Sequence, residues 1–153
     1  MASDLRKRVM ELHLNAERHV IHDVRERFGE FVRPCELSPD DVEWIKVAVS
    51  EACTNAVCHG SPLGPKNQVH VRFEADAETL SIEVRDEGGG FRPENISLPD
   101  FDEWKPSGRG LVIMVNVMDD VTFEPMNGGT CVRMVKYLRN QCGRPKSDPA
   151  LAV

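Results

Sequence analysis

Much that would place a protein in a simple class is missing from these 153 residues. No apolar run approaches the ~20 residues needed to cross a bilayer, and no basic-then-apolar start resembles a signal peptide. Basic residues are scarce: 19 Lys and Arg stand against 25 Asp and Glu, a net charge of −6. That balance disfavours direct nucleic-acid binding, which needs a basic face. The one basic run, Arg6-Lys7-Arg8, reads as a solvated N-terminal segment. Cysteine is limited to Cys35, Cys53, Cys58, Cys131 and Cys142, an odd number that reads as reduced thiols in a cytoplasmic protein. The familiar phosphate and metal signatures are absent too: no G-x-x-x-x-G-K-[ST], no strand-linked G-x-G-x-x-G and no H-E-x-x-H. His19 and His22, three apart on a helix, read as a solvated pair in preference to metal ligands.

What is present fits one soluble domain, with 41% hydrophobic and 29% charged residues and no internal repeat or dividing linker. Residues 9–14 alternate as a first strand. Residues 16–32 read as a helix, with Val20, Val24, Phe28 and Phe31 spaced for one buried stripe. Ser38-Pro39-Asp40-Asp41 is a helix start: a hydroxyl cap, proline at the first position, and acids at the positive end of the dipole. This second helix is expected to run to about Cys58 and end at Gly60. Residues 69–73 and 80–84 are neighbouring strands joined at Asp76-Ala77-Glu78. Residues 92–107, with three prolines, are expected to form a long functional loop. Residues 111–118 read as a largely buried third helix, and residues 121–124 and 130–135 as a last hairpin around Asn127-Gly128-Gly129. Together these elements make a β-sheet with helices on one face.

Three short motifs then stand out in fixed order: Glu51-Ala52-Cys53-Thr54-Asn55, Asp86-Glu87-Gly88-Gly89-Gly90-Phe91 and Gly108-Arg109-Gly110. On the second helix Val42, Ile45, Val49, Ala52 and Ala56 share the face meant for the sheet. Glu51 and Asn55 fall on another face, in a row with Trp44 and Ala48, away from the solvated Glu43, Lys46 and Ser50. Spaced by four, the two side chains reach one volume. An amide oxygen there suits Mg²⁺, and a carboxylate there can take a proton from an attacking hydroxyl. Taken alone, the pair could equally be a cap or a surface contact. Asp86 ends a strand before three glycines. Its carboxylate can accept from an exocyclic amine such as that of adenine, while Gly88 and Gly90 allow a flat ring to approach. A plain turn is the alternative. Gly108 and Gly110 open a helix whose free amides can bind phosphate, with Arg109 and Lys105 as nearby cations, or they form a hinge. Thr130 either presents its hydroxyl to Asp86 or faces solvent from its strand. His59 reads as structural, and Cys53 with Cys58 as core filling.

The ordered set resembles the GHKL superfamily of ATPases, and within it the small bacterial anti-sigma factor serine/threonine kinases. Residues 47–57 resemble that group's N-box, Asp86 to Phe91 and Gly108 to Leu111 its two glycine boxes, and Gly129-Thr130 its terminal Gly-Thr element. The resemblance covers residues 9–138. It implies a Bergerat-type two-layer α/β (α+β) sandwich with a mixed, mostly antiparallel sheet, binding Mg-ATP under a lid. Residues 1–139 would form the ATPase domain and residues 140–153 a flexible tail. Glu51 would be the general base and Asn55 the Mg²⁺ ligand. Asp86 would read adenine, and Gly88, Gly90, Gly108 and Gly110 would line the nucleotide. The implied role is partner switching by a homodimer: sequestering a sigma factor, or phosphorylating a serine on a STAS-domain anti-anti-sigma factor. A non-catalytic ATP-binding module is the competing reading, and the presence of Glu51 favours the enzyme. A histidine-kinase fragment is disfavoured by the short first helix.

Overall fold

The computed structural model describes residues 7–61, 63–87, 107–126 and 128–138, and of 107–109 the backbone alone. Residues 88–106, including Gly88, Gly90 and Lys105, lie outside the described residues, as do Asn127 and the tail from 139.

Among the described residues, alternating apolar positions build five strands: β1 (Arg8–Asn15), β2 (Gln68–Ala75), β3 (Thr79–Asp86), β4 (Asp120–Met126) and β5 (Gly129–Tyr137). They form one sheet in the order β1-β2-β3-β5-β4. Every pairing is antiparallel, the limiting case of the mostly antiparallel sheet expected. The register lines apolar side chains into rows that cross the whole sheet. Met10 faces Phe73, Phe73 faces Ile82, Ile82 faces Met134, and Met134 faces Val121. A second row joins Leu12, Val71, Val84, Val132 and Phe123 in the same way.

Helices α1 (His19–Phe31), α2 (Pro39–Thr54) and α3 (Ser107–Val117) supply the second layer. Val20, Val24, Phe28 and Phe31 of α1 are buried, the stripe their spacing predicts. Phe28 meets the edge of Phe73 at 5.4 Å between ring centroids, and Phe31 lies 5.6 Å from the same ring. Burying each such side chain contributes roughly 1.5–3 kcal/mol. On α2 the Ser38 hydroxyl accepts from the Asp41 amide at 3.0 Å, and Pro39 takes the first helical position. Ile45, Val49 and Ala52 of this helix are fully buried.

In the row of Trp44, Ala48, Glu51 and Asn55, Trp44 is 59% exposed and Ala48 wholly buried, and α3 packs against α2. Two expectations need correction. The third helix begins at Ser107 instead of after Gly110, and its outward face leaves Val112 and Asn116 exposed, so it is less buried than expected. Cys53 is core, but Cys58 is exposed and fills nothing.

The opposite face of the sheet is polar. Arg72 pairs with Glu74 at 2.9 Å and Arg85 with Glu83 at 3.3 Å. Partly exposed pairs of this kind add about 0–1 kcal/mol each, so the helical side carries the stability.

Candidate active site

The end of α2 is where the sequence motifs meet. Ser50 and Thr54 turn their hydroxyls back onto the Lys46 and Ser50 carbonyls, both at 2.8 Å. Such back-bonding competes with the helical ladder and loosens its last turns. The helix then widens into a π turn, Asn55–His59, closed by the Gly60 amide donating to the Asn55 carbonyl at 2.9 Å. Ser61, itself buried, donates to the Ala56 carbonyl at 2.7 Å and satisfies a group that the wide turn would otherwise orphan. Wide turns of this type occur mostly as single insertions at functional sites. The expected end at Gly60 holds, but the last five residues before it are not α-helical.

Two carboxylates flank this turn. Glu51, half-buried on the last α-helical turn, lies against Gly110: a Cβ added there would sit 2.7 Å from Glu51 Oε2. Gly110 belongs to the first turn of α3, Ser107–Gly110, whose amides have no acceptor within their own helix. Asp86, at the end of β3, is gripped from three sides. The Thr130 amide donates to its Oδ1 at 3.1 Å. Added Cβ atoms at Gly60 and Gly129 would overlap the Asp86 side chain and its carbonyl respectively. These are close approaches that only glycine permits.

Thr130 is 5% exposed, which speaks against the solvent-facing alternative, and it is its backbone amide that donates to Asp86 Oδ1. Asn55 sits half-buried where α2 passes into the π turn. Gly108 and Gly110 lie within the first turn of α3; the Arg109 side chain, Gly88, Gly90 and Lys105 fall outside the described residues. Sequence reasoning misses Gly60 and Gly129 as neighbours of the acid, since each reads locally as no more than a helix end or a hairpin turn. Cys53, between Glu51 and Asn55, is no nucleophile: complete burial pushes its thiol up to about 12. His59 is exposed.

The donors suit a magnesium nucleotide. A hard amide oxygen is offered by Asn55, the Glu51 carboxylate lies against the start of α3, and a fixed carboxylate, Asp86, stands where glycine backbone leaves room.

One antiparallel sheet covered on a single face by helices, with this arrangement at the end of α2, defines an α+β sandwich of the ATPase type. The chain belongs to the histidine kinase-like ATPase domain family, whose model matches residues 14–136. It is similar to the serine-protein kinase RsbW of Bacillus velezensis, 33% identical over 141 residues that cover 86% of this chain and 87% of that protein. The anti-sigma F factor of Heyndrickxia coagulans is 35% identical over 138 residues, covering 86% and 94%. Among solved structures, the RsbU and RsbW domains of a Mycobacterium tuberculosis protein share the fold. There the TM-score is 0.64 and the identity 19%, over 86% of this chain and 33% of that one.

Proposed function

We propose that this chain is an anti-sigma factor and ATP-dependent protein-serine kinase that acts on a STAS-domain anti-anti-sigma factor and holds a sigma factor by partner switching. The observation that carries the reading is the meeting of Glu51 with the first turn of α3 at Gly110. It sets a proton acceptor beside amides able to hold phosphate. The names of the relatives, serine-protein kinase RsbW and anti-sigma F factor, support the same conclusion.

Within residues 1–139, read as the ATPase domain, the roles divide by position. Asp86, steadied by the Thr130 amide, accepts a hydrogen bond from the adenine amine. Asn55 offers its amide oxygen to Mg²⁺. Gly88, Gly90, Gly108, Gly110 and Thr130 line the nucleotide, and Lys105 and Arg109 offer charge to its phosphates. When bound, Mg-ATP supplies the phosphoryl group and the countercharge for its transfer. Glu51 would take the proton from the partner's serine hydroxyl as that oxygen attacks the terminal phosphorus, the P–O bond to ADP breaking and ADP leaving with its electron pair. Residues 140–153 are a tail, and the working unit is a homodimer. Among the described residues no helix is long and apolar enough to cross a membrane.

Incubation with Mg-ATP and a STAS-domain protein encoded beside this chain should place phosphate on a partner serine. Glu51→Gln should abolish the transfer while ATP binding, measured by calorimetry, stays within about threefold. Uptake of ATP by the wild type without modification of that partner would assign the chain a non-catalytic role.

A further inference from the structure

The polar face of the sheet carries a second set of ligand-type side chains, remote in kind from the first. The pairing of β1 with β2 sets His13 directly opposite His70, and Glu11, two residues along β1, points to the same face. One ligand atom from each of Glu11, His13 and His70 falls in a group whose members all lie within 4.8 Å of one another. The His13 and His70 rings are stacked, with centroids 4.3 Å apart and planes 17° from parallel. Among the described residues, His70 Nε2 is enclosed and has no hydrogen-bond partner. A buried imidazole nitrogen without a partner is costly unless something else takes its lone pair or its proton.

We propose that Glu11, His13 and His70 form a surface site for a divalent transition metal of the Zn²⁺ class. Two imidazoles and one carboxylate form a recurrent three-ligand set for zinc, with water in the fourth position. Imidazole selects Zn²⁺, Cu²⁺ or Ni²⁺ over Mg²⁺ and Ca²⁺, so this site does not compete for the cation of the nucleotide. With bonds of about 2.0–2.2 Å, ligands around one tetrahedral ion stand roughly 3.4 Å apart. Side-chain rotation that moves each ligand atom by about an ångström closes the present spacing. Because imidazole lone pairs lie in the ring planes, two near-parallel rings cannot both point at one ion. Metal uptake therefore turns one ring out of the stack, and His70 Nε2 gains a partner.

Two cations bear on the site. Arg72 Nε, buried and without a hydrogen-bond partner among the described residues, lies 3.6 Å from Glu11 Oε1, and its Nη2 is held by Glu74 at 2.9 Å, so a turn of Glu11 to a metal gives up that long ion pair while Glu74 still balances the guanidinium charge. Arg85, on the neighbouring β3, is paired with Glu83 at 3.3 Å.

The test is a titration of the full chain with Zn²⁺ alone, without nucleotide. One equivalent should bind, and His13→Ala and His70→Ala should each weaken binding at least about tenfold. Changing His19 and His22 together, or Cys58 with His59, should leave it unchanged. In wild-type protein, which needs no variant to fold, the imidazole nitrogens of His13 and His70 should be the ones whose NMR signals move. Absence of stoichiometric uptake, affinity unaltered by the first two substitutions, or shifts confined to His19, His22 or His59 would each overturn the proposal.

Discussion

Asp86 is fixed by main chain from three directions: the Thr130 amide, the bare Cα of Gly60 and the backbone of Gly129. The two glycines differ in what a methyl group would strike, and their variants should differ accordingly. At Gly129 the obstacle is a carbonyl of the central strand β3, which cannot step aside. Gly129→Ala should cost about 1–3 kcal/mol, read from urea unfolding. At Gly60 the obstacle is the Asp86 side chain down to its Cβ, 2.9 Å away, which rotation of the carboxyl alone does not clear. Gly60→Ala should therefore weaken ATP binding about tenfold or more and lower the urea midpoint as well. Asp86→Asn should weaken ATP binding too; unchanged affinity in both would refute the adenine role. The chain announces the acid and the glycines around it, because a strand ending in Asp-Glu-Gly-Gly-Gly is locally conspicuous. It does not announce that residues 60 and 129 press on residue 86, since that depends on how distant segments dock.

Helix starts are the most legible elements, because a cap is written in adjacent residues. Ser38→Ala should cost about 1 kcal/mol, measured by thermal or urea melting, as the Asp41 amide loses its acceptor. The β2–β3 hairpin is equally local. The Asp76 carboxylate accepts from the Glu78 and Thr79 amides at 2.7 and 2.8 Å, and these bonds hold its acidity below the ordinary carboxylate range. A carboxyl group lowered in the folded state stabilises it fully above its unfolded value, about 3.9, and loses that contribution as pH falls further. Asp76→Asn should thus flatten the part of the acid-stability profile below about pH 4. An unaltered profile would show that the turn bears no such linkage. The π turn is not legible. Nothing in Asn55-Ala56-Val57-Cys58-His59 departs from an ordinary helical pattern, and the widening rests on Ser61 and on contact with β3.

Across the whole molecule, alternation identifies which side of each strand is apolar, but register comes only with pairing. The row from Met10 to Val121 and the apposition of His13 with His70 are both products of that register. The sequence contains both histidines and gives no sign that they meet. Assembly belongs to this scale too: sedimentation at micromolar concentration should return twice the 17.2 kDa chain mass, and a monomer at all concentrations would refute the homodimer. The widened turn after α2 bears on how this chain can tolerate change. It accommodates one residue more than an α-helical turn in nearly the same angular sweep, so the chain beyond it keeps the phase of the helix before it. Excising the exposed Cys58 should therefore let the turn rewind as regular α-helix with Gly60 still close to Asp86, whereas the same deletion inside the α-helical part of α2 would swing every later residue by about 100°.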